Sequence, residues 1–275
     1  MISDNTKKKN PGVFQKKCKV ISNQFISDGY YILKIASREI SQLAQPGMFV
    51  SIKVNELTDP MLRRPFSFYD VSEKKDNFSI LYQVVGKGTK ILSEKKEDDL
   101  IDVIGPLGNG FNIPSSINNI AITAGGIGSA PLIYLARELN KKKKNIYFLL
   151  GLKKRSFYNF IKNALGFINP LNFLAVIEDE LPTDDLNVVK VLEKFMVDTD
   201  IEYIAACGPS GMIREMHKLK YPESIKVFVS YENHFSCSIG VCHGCSIRVY
   251  NAKNKLENKR VCKDGPVFEL NKLVF

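Results

Sequence analysis

The chain has 275 residues, 44% hydrophobic and 25% charged, which is room for two ordinary globular domains and a small appendage. No apolar run approaches the ~20 residues of a bilayer-crossing helix, and the opening MISDNTKKKNPGVFQ lacks an apolar signal core, so a membrane-free, cytoplasmic protein is expected. The formal charge of +10 comes from scattered lysines, the densest run being Lys141 to Lys144 at a predicted helix end, where cations complement the dipole; without basic-aromatic alternation, no nucleic-acid partner is expected.

Residues 1–14 read as a polar, disordered extension. Over 15–113, CKVISNQFIS, YYILKIA, MFVSIKV, PFSFYDV, FSILYQVV and LIDVIGPLG are short strand candidates punctuated by turns such as Asp28-Gly29 and Pro46-Gly47. Their even spacing predicts a small antiparallel β-barrel. Within it, Arg64-Pro65-Phe66-Ser67 combines a fixed cation, a rigid dipeptide, an aromatic ring and a hydroxyl. That set can hold a flavin, guanidinium to pyrophosphate and strand backbone with Ser67 to the ring edge; a purely structural Arg-Pro pair is the alternative. Leu81-Tyr82-Gln83 leads into Gly86-Lys87-Gly88-Thr89, whose amides and hydroxyl suit a phosphate.

After Ile113-Pro114 strands and helices alternate through residue 230, which predicts a Rossmann-like α/β domain around a parallel sheet. Its first strand, NNIAITAGG, ends in Gly125, Gly126 and Gly128 and opens the helix SAPLIYLAREL. Glycines there let a pyrophosphate approach the free amides of the helix start; a tight βα turn is the alternative. A second loop, Cys207-Gly208-Pro209, ends a later strand, and both loops are expected on one sheet edge around one nucleotide. Cys207 is either beside the nicotinamide or a packed thiol. Lys153, Lys154, Arg155 and Ser156 follow the second strand, where a 2′-phosphate could be met or where a loop is simply solvated.

Residues 231–275 carry Cys237, Cys242, Cys245 and Cys262, a C-x4-C-x2-C run with a fourth cysteine beyond sixteen intervening residues. This is a plant-type [2Fe–2S] spacing, with Gly240 and Gly244 available for unusual φ values. Zinc and disulfides are the alternatives, but zinc hooks usually come in close pairs and only Cys242/Cys245 form one. The gap to Cys262 suggests a hairpin with NAKN at its tip. Cys18 is expected to be a buried structural thiol.

MLRRPFSFYDV, YQVVGKGT, IGPLGNGF, TAGGIGSAPL, CGPSGM and CKDGPVF occur in this order. Together they resemble the electron-transfer subunit family of type B dihydroorotate dehydrogenase, within the ferredoxin–NAD(P) reductase superfamily, over roughly residues 14 to 270. The resemblance implies an FAD-binding barrel, an NAD-binding α/β domain and a small C-terminal [2Fe–2S] lobe. It places FAD on Arg64 to Ser67, Leu81 to Gln83, Gly88 and Thr89, and the cluster on the four cysteines. It also implies an FMN-containing catalytic partner, two of each subunit, and a role in pyrimidine biosynthesis, with no acid–base catalyst in this chain. The alternatives are the small subunit of an NAD(P)H:ferredoxin or sulfide-type reductase and, outside enzymes, a redox-sensing or assembly protein.

Overall fold

Alternating Val, Ile, Phe and Tyr residues bend the first third of the chain into a closed sheet. The computed structural model describes residues 12–180 and 186–275; most of the expected 1–14 extension lies outside them, and its last residue, Phe14, already belongs to the first strand. The strands are β1 (Phe14–Ser27), β2 (Tyr30–Ala36), β3 (Phe49–Lys53), β4 (Arg64–Val71), β5 (Asn77–Gln83) and β6 (Leu100–Leu107). They close antiparallel in the order β1-β2-β5-β4-β3-β6, which leaves no free edge. Val20, Leu33, Ile35, Phe68, Phe78 and Ile80 fill the interior. Two short helices, α1 (Arg38–Leu43) and α2 (Lys87–Ser93), interrupt the strands. Each is under two full turns, too short to register as helical periodicity.

The α/β part contains five parallel strands: β7 (Asn119–Gly125), β8 (Asn145–Leu152), β9 (Phe173–Ile177), β10 (Tyr203–Cys207) and β11 (Lys226–Ser230). Helices α3 (Ser129–Lys141), α4 (Tyr158–Ala164), α5 (Val188–Val197) and α6 (Ser210–Lys218) cover its faces. Helix α3 also joins the sheet to the barrel. Its Tyr134 packs in the barrel core and donates to the Ala44 carbonyl at 3.3 Å. One turn on, Arg137 lies 5.0 Å over the Tyr69 ring and 3.0 Å from Asp70 on β4.

The C-terminal segment forms the hairpin β12 (Ser246–Tyr250) and β13 (Leu256–Arg260), turning at NAKN as expected. A single turn, α7 (Val261–Asp264), follows, and β14 (Val267–Glu269) then pairs antiparallel with β11. The six-stranded order is therefore β14-β11-β10-β7-β8-β9. A specific joint ties this segment to the barrel. The Asn109 amide N–H donates to the Gly265 carbonyl at 2.6 Å, and its side chain donates to the carbonyls of Lys263 and Asp264 at 3.0 and 3.2 Å. These are carbonyls at the C-terminal end of α7 that the helix itself cannot satisfy. A Cβ on the neighbouring Gly108, which sits at φ +74°, would lie 2.6 Å from Pro266.

Candidate functional site

The two glycine loops meet at the carboxyl ends of β7 and β10, as the open-sheet rule requires. Their glycines do different things. Gly126, at φ +53°, has nothing within 4 Å of a hypothetical Cβ and faces open space. A Cβ on Gly125 would come within 2.8 Å of both Pro209 and Met212, and one on Gly128 within 2.5 Å of the Cys207 carbonyl oxygen. Gly125 and Gly128 therefore let the two loops touch, while Gly126 presents backbone to a ligand. The space in front is a cavity of about 1000 Å³, bounded by Gly125 to Gly128, Gly208 and Pro209 on the sheet side. Asp28, Tyr30 and Gln83 of the barrel face them. Tyr30 stacks on Phe157 with ring centroids 4.0 Å apart, closing one end.

A second cavity, of about 230 Å³, lies between Pro65, Phe66 and Ser67 of β4 and the residues after β11. Phe49 and Phe235, whose centroids are 5.2 Å apart, form one wall, and Cys207 another. Glu232 lines both cavities. It opens to the cavity space yet is otherwise ringed by protein, and that desolvation raises its carboxyl pKa. Cys207 is almost wholly buried, and burial pushes its thiol well above the usual range, so it is a neutral wall group.

The remaining barrel residues divide. Arg64 leaves its strand directly over the start of α2, so that a Cβ on Gly88 would lie 2.7 Å from Nε. The guanidinium therefore rests directly on the glycine backbone with no gap between them, and the two together put a cation beside main-chain amides, the donor set a pyrophosphate needs. The Thr89 hydroxyl, read from the sequence as a phosphate donor, is turned inward. It accepts from the amides of Val85 and Gly86 at 2.9 and 3.2 Å and donates to the Gly86 carbonyl. It shapes the loop. Leu81 and Tyr82 are buried, with the Tyr82 hydroxyl donating to Asn23 at 3.0 Å, so only their main chain can meet a ligand; Gln83 reaches the larger cavity.

The four cysteines fall into two pairs. The Cys242 amide donates to Cys237 Sγ, and the Cys262 amide to Cys245 Sγ, each at 3.4 Å. Burial opposes ionisation of Cys237, but the amides of Cys242, Ile239 and Val241 outweigh it and lower its pKa to about 6. Burial and then the neighbouring Cys245 raise Cys262. Among the described residues no group of three or more His, Cys, Asp or Glu side chains is arranged to hold one metal ion. Two thiol pairs with amides aimed at sulfur fit a two-iron cluster. Gly240 takes a positive φ of 83° as expected, but Gly244 does not; Ser238 and His243 do so instead. Arg260, paired with Asp264 at 3.1 Å, donates to the Gly240 carbonyl at 3.0 Å and pins the loop.

The pairs differ in exposure. Cys245 and Cys262 are buried in one apolar cluster with Phe49, and Phe235 packs against it. Cys242 is exposed, flanked by Ile239 and Val241, which are 44% and 74% exposed. Phe49, Phe235 and Glu232 went unread in the sequence. Glu232 lies two residues beyond β11, where the carboxyl-end rule would have found it, whereas no local signal marks the phenylalanines.

The profile of the iron–sulfur cluster binding domain of dihydroorotate dehydrogenase B matches residues 232–274. The dihydroorotate dehydrogenase B (NAD⁺) electron transfer subunit of Desulforamulus reducens is 35% identical over 254 residues, spanning 91% of this chain and 94% of its own. This chain belongs to that family. The Bacillus caldolyticus member is 33% identical over 270 residues, 94% of this chain and 98% of its own. Among solved structures, one of an NADH-dependent reduced ferredoxin-NADP oxidoreductase superposes with a TM-score of 0.79 at 25% identity, covering 94% of this chain and 90% of that one. A dihydroorotate dehydrogenase B electron-transfer subunit is thus a flavin- and iron–sulfur-type oxidoreductase component built on a ferredoxin-reductase-like fold. Among the described residues no helix is long and apolar enough to cross a membrane.

Proposed function

We propose that this subunit takes electrons from a partner dihydroorotate dehydrogenase catalytic subunit and delivers them to NAD⁺. When bound, the cluster supplies one-electron transfer and FAD the conversion between single electrons and a hydride. Arg64 and the backbone around Gly88 are the residues to hold the FAD pyrophosphate. Pro65, Phe66 and Ser67 offer backbone, ring and hydroxyl to its isoalloxazine, and Leu81 to Gln83 offer main chain. Gly126 lets the NAD pyrophosphate approach the amides at the start of α3, with Gly125, Gly128, Gly208 and Pro209 framing that loop pair. Cys237, Cys242, Cys245 and Cys262 hold the cluster. Phe49 and Phe235 keep water out between the inner thiol pair and the smaller cavity.

One observation carries this reading. The apolar cluster that buries Cys245 and Cys262 also contains a wall of the cavity bounded by Pro65 to Ser67. The exposed face at Ile239, Val241 and Cys242 supports docking of the partner on the other side of the cluster. We assign FMN to that partner, two copies of each subunit to the complex, the cytoplasm as its compartment, and 15–113, 114–230 and 231–275 as the three working units.

The test is dihydroorotate-dependent NAD⁺ reduction by the natively purified complex, with about two irons and two labile sulfides per copy of this chain. A co-purifying partner that reduces ferredoxin and leaves dihydroorotate untouched would replace this reading with the ferredoxin-reductase one. A colourless chain that stays colourless after anaerobic reconstitution would remove both.

A further inference from the structure

The run Lys153-Lys154-Arg155 places three cations after β8, where a 2′-phosphate would be welcome. Parallel pairing of β8 with β9 sets Glu178-Asp179-Glu180 beside it. The Asp179 amide donates to the Lys153 carbonyl at 3.1 Å, so the two loops are joined backbone to backbone. Arg155 is bound by Glu180 through two hydrogen bonds, Nη2 to Oε2 at 2.5 Å and Nε to Oε1. Its guanidinium is spent on that carboxylate. Among the described residues lining the large cavity, the charged side chains are Lys153 and Lys154 on the positive side and Asp28, Glu178, Glu215 and Glu232 on the acidic side. A chain carrying +10 overall thus lines its dinucleotide cavity, among the described residues, with more carboxylates than cations.

We propose that the Glu178–Glu180 loop is the specificity element that makes this subunit select NAD over NADP. Glu178 stands in the cavity beside Lys153 and Lys154 and offsets their charge, and Glu180 withholds Arg155. The 2′-hydroxyl of an adenosine ribose can donate to a carboxylate; a 2′-phosphate in its place offers no such donor and adds like charge to an acidic lining. The proposal rests on reading the larger cavity as the NAD site.

The experiment titrates 5′-ADP and 2′,5′-ADP into the intact, cofactor-loaded protein by calorimetry. Wild type is expected to bind 5′-ADP at least about tenfold more tightly, a difference of ~1.4 kcal/mol. Glu178→Gln with Glu180→Gln should tighten 2′,5′-ADP by roughly tenfold and move 5′-ADP by less than about threefold. Glu178→Gln alone, which leaves the Arg155–Glu180 pair intact, should fall between. Binding of 5′-ADP reports that each variant is folded. If wild type binds no 5′-ADP, the site assignment fails. If it binds both probes equally, or the double variant keeps the wild-type ratio, the specificity claim fails while the site assignment stands.

Discussion

Replacing Gly128 of the first glycine loop by alanine should unfold the joint between the two loops, while replacing Gly126 should not. At Gly128 the new methyl would lie 2.5 Å from the Cys207 oxygen, 2.6 Å from its carbonyl carbon and 2.7 Å from the Gly208 nitrogen. All three are backbone atoms fixed in the β7–β10 pairing, which aligns Ala124 with Cys207. No side chain can swing away, so the cost belongs at the upper end of overpacking, about 3 kcal/mol. At Gly126 there is no clash, only a φ of +53°, worth about 1 kcal/mol for alanine. For a chain of this size these convert to melting-point losses of roughly 6–12 °C and 2–4 °C. Thermal unfolding of the cofactor-loaded variants, read alongside 5′-ADP binding, checks both. Gly128→Ala should lose stability and binding together. Gly126→Ala should lose mainly binding, because its methyl enters the cavity. Equal melting points for Gly128→Ala and wild type would show that the loops are not in contact and that both glycines serve the ligand alone.

Three further outcomes follow from the same geometry. Phe235→Ala opens the wall between the inner thiol pair and the smaller cavity, and should speed iron loss in air, followed by the decay of visible absorbance; unchanged decay would mean that Phe49 suffices. Asn109→Ala removes two side-chain hydrogen bonds to the end of α7, about 1–2 kcal/mol, and should loosen the Cys262 segment, seen as faster amide exchange there and not in the barrel. Glu232 has a pKa raised by desolvation, so the folded state binds its proton more tightly than the unfolded chain. Its contribution to stability is therefore full below the ordinary carboxyl pKa and is lost as pH rises through the raised value. Glu232→Gln should match wild type at about pH 4 and exceed it near neutrality, measured by denaturant unfolding at both; a constant offset would refute the assignment.

Features written in contiguous residues were legible in advance. The barrel strands, the two glycine loops and the cysteine spacing each occupy one short stretch, and their periodicity or residue type carries the signal. What escaped reading depends on partners far along the chain. Lys153 to Arg155 read as three free cations until pairing of β8 with β9 brings Glu178 to Glu180 alongside and Glu180 binds Arg155. Thr89 looks like a ligand donor until its hydroxyl is found satisfying the amides of its own loop. In Leu81 and Tyr82 strand alternation sends successive side chains to two different cores, so a run that reads as one binding motif offers only its backbone. Phe49 and Phe235 are 186 positions apart and meet only because β3 turns one face outward to the cysteine loop, where Ser51 and Ser238 share a hydrogen bond of 2.9 Å.

Two of the motifs that carry the family resemblance, IGPLGNGF and the most discriminating one, CKDGPVF, meet in a joint. Gly108 and Asn109 of the first pack on Lys263 to Pro266 of the second, beside Cys262. Electron transfer asks less of side-chain chemistry than of separation and orientation between carriers, and a site held on rigid supports keeps both. Placement accounts for a joint built from glycine, asparagine and proline, residues suited to close backbone approach and caps. It also predicts where tolerance ends: substitutions on the exposed barrel face should be mild, and a single methyl at Gly108, 2.6 Å from Pro266 and at φ +74°, should shift the cluster segment relative to the smaller cavity without touching a ligand residue.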